Sequence, residues 1–171
     1  KIQQQHIRSI ANEEELFCVK ANLQVADKND IDARAKAFIR LAIKSRKEYK
    51  GSGEPTLFCG DDILTDMLLL EDNNGRVIYD SVAKLATALR VKEIVTVPVM
   101  EGAKNKDGDK NVLGIIVNLK DYNVGADKGG QVAMFEDFDI DYNAQKYLIE
   151  TRCSGALVKP FSAIVIQEDA E

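Results

Sequence analysis

The sequence predicts an α+β protein in which a smaller α/β lobe is inserted into a body built from one long helix and long antiparallel strands. Three observations carry that expectation. Apolar residues recur at helical spacing over residues 30–49, where Ala35, Phe38, Ile39, Ala42 and Ile43 share one face and Arg34, Lys36, Arg40, Lys44 and Lys47 ring the others. The stretch from Phe135 to Tyr142 alternates strictly, with Phe138, Ile140 and Tyr142 on one side and Asp137, Asp139 and Asp141 on the other, the period-two pattern of a half-buried strand. Between residues 54 and 130 short strands and short helices follow one another, as small α/β lobes do.

Taken in order, the opening to Ser9 is polar apart from Ile2 and Ile7. Leu16 to Val25 alternates Phe17, Val19, Ala21, Leu23 and Val25 against Cys18, Lys20, Asn22 and Gln24, which predicts a strand. Asn29 or Asp30 can accept the free amide hydrogens of the first turn of the long helix, and Gly51, Gly53 and Pro55 stop it. TLFC at 56–59 reads as a buried strand, and Asp61 or Asp62 starts a helix carrying Ile63, Leu64, Met67 and Leu68. Asn73, Asn74 and Gly75 form a turn. Ser81 to Arg90 is a second short helix with Val82, Leu85, Ala86 and Leu89 on one side. Glu93 to Val99 is a strand, NKDGDKN at 105–111 a hairpin tip, and VLGIIVNL at 112–119 a buried strand. After Tyr142, Gln145 to Cys153 sets Tyr147, Ile149 and Cys153 against Lys146, Glu150 and Arg152, and Phe161 to Ile166 is the last strand. The expected division is 1–53 with 131–171 for the outer body, whose long strands fill 131–167, and 54–130 for the inserted lobe.

The 171 residues, 45% of them hydrophobic, suffice to bury about two-thirds of the unfolded surface. The formal net charge of -5, from 28 acidic and 23 basic side chains, lacks the basic stripe of a general nucleic-acid binder. No apolar run approaches the ~18 residues of a membrane span. Cys18, Cys59 and Cys153 are odd in number and have no CxxC spacing, so they read as buried free thiols in a reducing compartment.

Candidate chemistry is thin. A nucleophile–histidine pair must be drawn from His6 alone, the one histidine. GSGEPT at 51–56 lacks the Gly-Lys-Ser/Thr ending that grips phosphate and magnesium. Asn105, Asp107 and Asp109 begin like a calcium loop, but Lys110 stands where glycine turns the chain and Ile116 where a bidentate glutamate binds. Asp137, Asp139 and Asp141 are about 7 Å apart along a strand, too far for one small ion. Asp61 and Asp62, the carboxylates that an enzyme or ligand-binding reading of the inserted lobe would use, are explained by helix capping. The expectation is no enzyme, no cofactor and no metal.

The order of these elements resembles the major capsid protein of tailed bacteriophages. DIDARAKAFIRLAI followed by GEPT at 53–56 is similar to that family's spine helix entering its axial domain. GDDILTDMLLLEDNNGRVIYD at 60–80 resembles the first axial helix and its turn, and DYNVGADKGGQVAMFEDFDIDYNAQKYLIETRCSGALVKPFSAIVI at 121–166 resembles the return through long peripheral strands, with Glu150 and Arg152 two apart and Pro160 near the end. The resemblance implies a peripheral domain holding the spine helix and long strands, with an axial domain inserted. It also implies a structural subunit that joins other copies of itself into pentamers and hexamers and holds packaged DNA only loosely, with no membrane partner. The virion would be its location after synthesis in the bacterial cytoplasm. A shell protein of a bacterial nanocompartment with the same fold is the second expectation.

Family members carry an amino-terminal arm and an extended loop before the spine helix, for which this sequence has too little chain, so a carboxy-terminal fragment of a longer subunit is expected. Some members cross-link a loop lysine to a strand asparagine with help from a glutamate. Asn143 and Glu150 are the matching positions, although a strand end at Asn143 and a pair between Glu150 and Arg152 account for both residues without that chemistry. The expected subunit contacts are Arg34, Arg40 and Lys44 on the helix and Asp137, Asp139, Asp141, Glu150 and Arg152 on the strands.

Overall fold

A computed structural model of the chain describes residues 7, 9–11, 16–25, 30–72, 74–126, 133–150 and 152–170, apart from the side chains of Ala133 and Glu150. Its centre is a five-stranded sheet in the order β1, β9, β4, β2, β3. These are β1 (Cys18–Leu23), β2 (Thr56–Cys59), β3 (Ile94–Thr96), β4 (Lys110–Val117) and β9 (Ala163–Asp169). β1 runs parallel to β9 and β2 parallel to β3, while β4 is antiparallel to both β9 and β2.

Helices α1 (Ile31–Ser45), α2 (Asp61–Leu68) and α3 (Val82–Leu89) cover one face. Asp30 caps α1, its carboxylate accepting the Ala33 amide at 3.0 Å, and Ser81 caps α3 by accepting from Lys84. Asn29, the alternative cap, lies outside the described residues. α1 stops at Ser45, short of the expected Tyr49, because the chain tightens into a turn in which the amides of Lys47, Glu48 and Tyr49 each reach back three residues.

Why these strands are apolar throughout follows from their position. Ile164 and Ile166 of β9, Ile116 of β4 and Leu57 and Cys59 of β2 meet Phe38, Ile39 and Ala42 of α1 and Leu85 and Leu89 of α3. Their alternating neighbours Ala163, Val165, Ile115, Val117 and Phe58 pack on the opposite face with Ile10, Met100, Tyr122 and Leu157. A strand covered on both faces has no solvent side to mark with polar residues. β4 breaks its alternation once: a register shift between Val112 and Gly114 lets both Leu113 and Gly114 face the helices. Gly114 is needed there, since a Cβ would lie 3.0 Å from the Phe38 ring.

Two ribbons stand apart from this sheet: β5 (Tyr122–Ala126) with β8 (Cys153–Leu157), and β6 (Ala133–Asp139) with β7 (Ala144–Glu150), each antiparallel. The strand read as reaching Tyr142 ends at Asp139, and residues 140–143 turn the chain back. Asn143 takes φ 48 in that turn, a left-handed backbone that asparagine tolerates better than most residues. The expectation that one face of this strand packs is also corrected, because Phe138, Ile140 and Tyr142 are 53%, 82% and 81% exposed. Their pattern marks a face to be covered, and the described residues of this chain do not cover it. Cys18 and Cys59 are buried as expected, whereas Cys153 lies exposed at the start of β8, where the described residues leave it uncovered.

The central sheet draws strands from both sides of the boundaries read at 53/54 and 130/131. β1 and β9, assigned to the outer body, join β2, β3 and β4 of the inserted lobe, and α1 lies on that common sheet.

Candidate functional site

Pairing across the β6–β7 ribbon sorts its side chains onto two faces. Met134 opposes Ile149, Glu136 opposes Tyr147 and Phe138 opposes Gln145 on one; Phe135 opposes Leu148, Asp137 opposes Lys146 and Asp139 opposes Ala144 on the other. Opposed residues in an antiparallel pair share a face. The first face is thus an apolar ladder of Met134, Phe138, Tyr147 and Ile149, all exposed. The second is apolar at its base, through Phe135 and Leu148, and charged toward the tip.

At that tip Lys146 forms an ion pair with Asp139. The Asp139 carboxylate also accepts the Asp141 amide at 3.1 Å, which shapes the turn. Asp137 and Asp141 have no ion-pair partner among the described residues. Asp137 and Asp139 lie on β6, the second of them largely covered by its pair with Lys146, while Asp141 belongs to the turn.

On α1, Lys36, Arg40 and Lys44 form an exposed row four residues apart, beside Ala33, Ala37 and Leu41. Lys36 pairs weakly with Asp32 at 3.8 Å, and Arg40 and Lys44 have no ion-pair partner among the described residues. Between this helix and the edge strand β1 runs an open groove of about 430 Å³ with Leu23, Ala37 and Leu41 along it and the three cations beside them. Arg34 is placed differently. Its guanidinium clasps the buried Glu168 carboxylate through two hydrogen bonds of 2.7 and 3.2 Å, which ties α1 to β9 inside one chain.

Among the other expected residues, Arg152 is exposed ahead of β8 and Glu150 ends β7 opposite Ala133. Asp61 and Asp62 lie in the first turn of α2 on an exposed surface; the expectation that they cap it is corrected, because Gly60 holds the cap position and no side chain caps the helix. The 105–111 loop is a hairpin tip closed by an Asn105 amide to Lys110 carbonyl bond of 2.9 Å. His6 lies outside the described residues. No group of metal-binding side chains occurs among the described residues, and no helix among them is long and apolar enough to cross a membrane. One buried polar cluster escaped the sequence reading. Asp121 is buried and accepts from the Ser52 amide and hydroxyl at 2.6 Å each, with Lys159 at 3.9 Å. It pins the segment after α1 to the start of β5. Nothing periodic announces such a residue, because its partners lie far away in sequence.

No family model matches the sequence, and none of the curated proteins matches it. Solved structures do share its architecture. The capsid of an empty GTA particle superposes with a TM-score of 0.57 at 11% identity, over 88% of this chain and 50% of that one. A virus-like particle from Pyrococcus furiosus gives 0.57 at 14% identity, over 96% of this chain and 62% of that one. The chain has the capsid shell fold. A chain of Gordonia phage Cozz shares the shell fold too, with a TM-score of 0.55 at 15% identity, over 99% of this chain and 60% of that one. The expected fold class is therefore the one observed, and the chain spans between 50% and 62% of the length of these shell-fold structures.

Proposed function

We propose that the protein is a structural subunit of a prophage-type icosahedral capsid, joining its own copies into pentamers and hexamers that close around DNA. The observation that carries this reading is the β6–β7 ribbon, left uncovered by the described residues, which exposes Met134, Phe138, Tyr147 and Ile149 on one face and Phe135 and Leu148 on the other. An apolar surface of that extent on a soluble body marks an association site. The shared fold with a GTA capsid and a virus-like particle supports other copies of the same chain as the partner.

The physics of such an assembly suits the residues. A ribbon on one copy against a different surface of the next is a heterologous contact, which closes into rings when the rotation permits. Each contact can be weak, because a subunit in a closed lattice is held by several neighbours together. The net charge of -5 suits a container that encloses DNA without gripping it. No catalytic step enters this role, and the subunit ends in the virion.

Negative-stain electron microscopy of the purified full-length protein tests the reading, with rings or closed shells expected. Particles that protect nucleic acid from nuclease support the capsid. Particles filled with protein cargo and free of DNA point to the compartment. A protein that stays monomeric by sedimentation and forms no rings or shells overturns both.

A further inference from the structure

We infer that the groove between α1 and β1 is the seat for the tip of the β6–β7 ribbon of a second copy. This deepens the self-assembly reading and rests on it. Two surfaces of opposite character are left unmatched among the described residues. The tip presents Ile140 and Tyr142, more exposed than any other large apolar side chains described. Around them residues 135–148 carry four carboxylates, Glu136, Asp137, Asp139 and Asp141, against the single Lys146. The groove offers the converse: apolar Leu23, Ala37 and Leu41 along its length and the cations Lys36, Arg40 and Lys44 beside them.

The arrangement is complementary in both terms. Seating Ile140 and Tyr142 on the apolar residues removes exposed hydrocarbon from water on both partners. Asp137 and Asp141, which lack an ion-pair partner among the described residues, then face Arg40 and Lys44, which lack one as well. Lys146 pairs with Asp139 and lies cross-strand from Asp137, and with four carboxylates against this one cation the tip keeps a net negative charge. Charge in such a contact chiefly selects partner and register. The ribbon and the groove lie on different elements, so each copy gives one and receives one, the head-to-tail form that rings require.

Charge exchange tests this without disturbing the fold, because all four positions are exposed. Self-association is followed by sedimentation velocity at low and high salt. R40E/K44E and D137K/D141K are each expected to weaken association by about tenfold at low salt, with a smaller effect at high salt. Mixed together, the two variants regain both contacts, since the ribbon of each then matches the groove of the other, and are expected to associate in strict alternation; a chain carrying all four changes recovers assembly by itself. Association unchanged in R40E/K44E, while the wild type assembles, overturns the groove assignment and leaves the self-assembly reading standing. So does a four-change chain that fails to recover. Loss of binding to a labelled DNA duplex in R40E/K44E, with self-association intact, assigns the cations to nucleic acid instead. A wild type that never associates overturns the self-assembly reading itself.

Discussion

Cys59 sits on the helix-facing side of β2 with no exposure, and burial, reinforced by the Asp62 and Asp61 carboxylates, pushes its thiol from 9.0 up to about 12. Cys18 is buried too and donates its S–H to the Ile10 carbonyl at 3.1 Å. Cys153 alone faces solvent. Since the thiolate is the reactive form, a disulfide reagent at pH 8 is expected to modify Cys153 rapidly in the native chain and the other two only in denaturant; absorbance at reagent release counts them. Arg34 and Glu168 make a second residue-scale case. Removing the guanidinium strands a buried carboxylate, so Arg34→Ala is expected to lower unfolding free energy by about 3 kcal/mol in urea titration. Arg40→Ala, on the exposed row of the same helix, is expected to leave it within about 0.5 kcal/mol.

At the scale of elements, α1 shows what periodicity can say. Ala35, Phe38, Ile39, Ala42 and Ile43 announced the buried face; the structure packs the first four on β9, β4 and β2 but leaves Ile43, at the margin of that face, exposed. Its other side carries the basic row that the contact residues Arg40 and Lys44 were drawn from. Spacing alone could not tell that Arg34 has a partner in its own chain, since Glu168 is 134 residues away. The ribbon shows the converse. Period two read correctly that Phe138 lies on the other face of β6 from Asp137 and Asp139, and Tyr147 and Ile149 on the other face of β7 from Lys146, but Cys153, read as the end of that second strand, begins β8 instead. It overran by carrying the strand through a turn whose residues happen to alternate. A triple change of Phe138, Tyr147 and Ile149 to serine is expected to leave the thermal midpoint of the isolated chain within a few degrees, because no core is opened, while weakening self-association by more than tenfold. Circular dichroism melts and sedimentation measure the two effects. Gly114→Ala is the opposite kind of variant: its Cβ meets Phe38 at 3.0 Å and Leu57 at 3.3 Å in a filled core. It is expected to cost about 1–3 kcal/mol, recovered in part by Phe38→Leu.

For the molecule as a whole, the sheet with cores on both faces makes stability depend on pH at the alkaline end. The folded chain holds the Cys59 proton up to about 12, whereas the unfolded thiol releases it near 9.0. Burial and the nearby Asp121 carboxylate raise the Tyr49 phenol in the same sense. A folded pKa raised above its unfolded value contributes stability that is complete below the unfolded value and is lost as pH climbs toward the folded one. Urea midpoints are therefore expected to fall between about pH 9 and pH 12, less steeply in Cys59→Ala than in its parent compared at each pH.

The local elements belong to the sequence itself. The cap at Asp30 follows from a side-chain oxygen within reach of the first-turn amides, and the buried runs of β4 and β9, the long helix and the alternation of β6 follow from backbone periods of 3.6 and two, all of which act over a few residues and leave their mark in a few residues. Tertiary structure alone decided that β1 lies parallel to β9, that one sheet gathers strands from both expected lobes, and that the ribbon's apolar ladder stays bare of this chain's described residues. Periodicity states that a face is to be covered. What covers it is chosen by pairings across more than a hundred residues, or by another molecule, and neither choice is written in any local spacing.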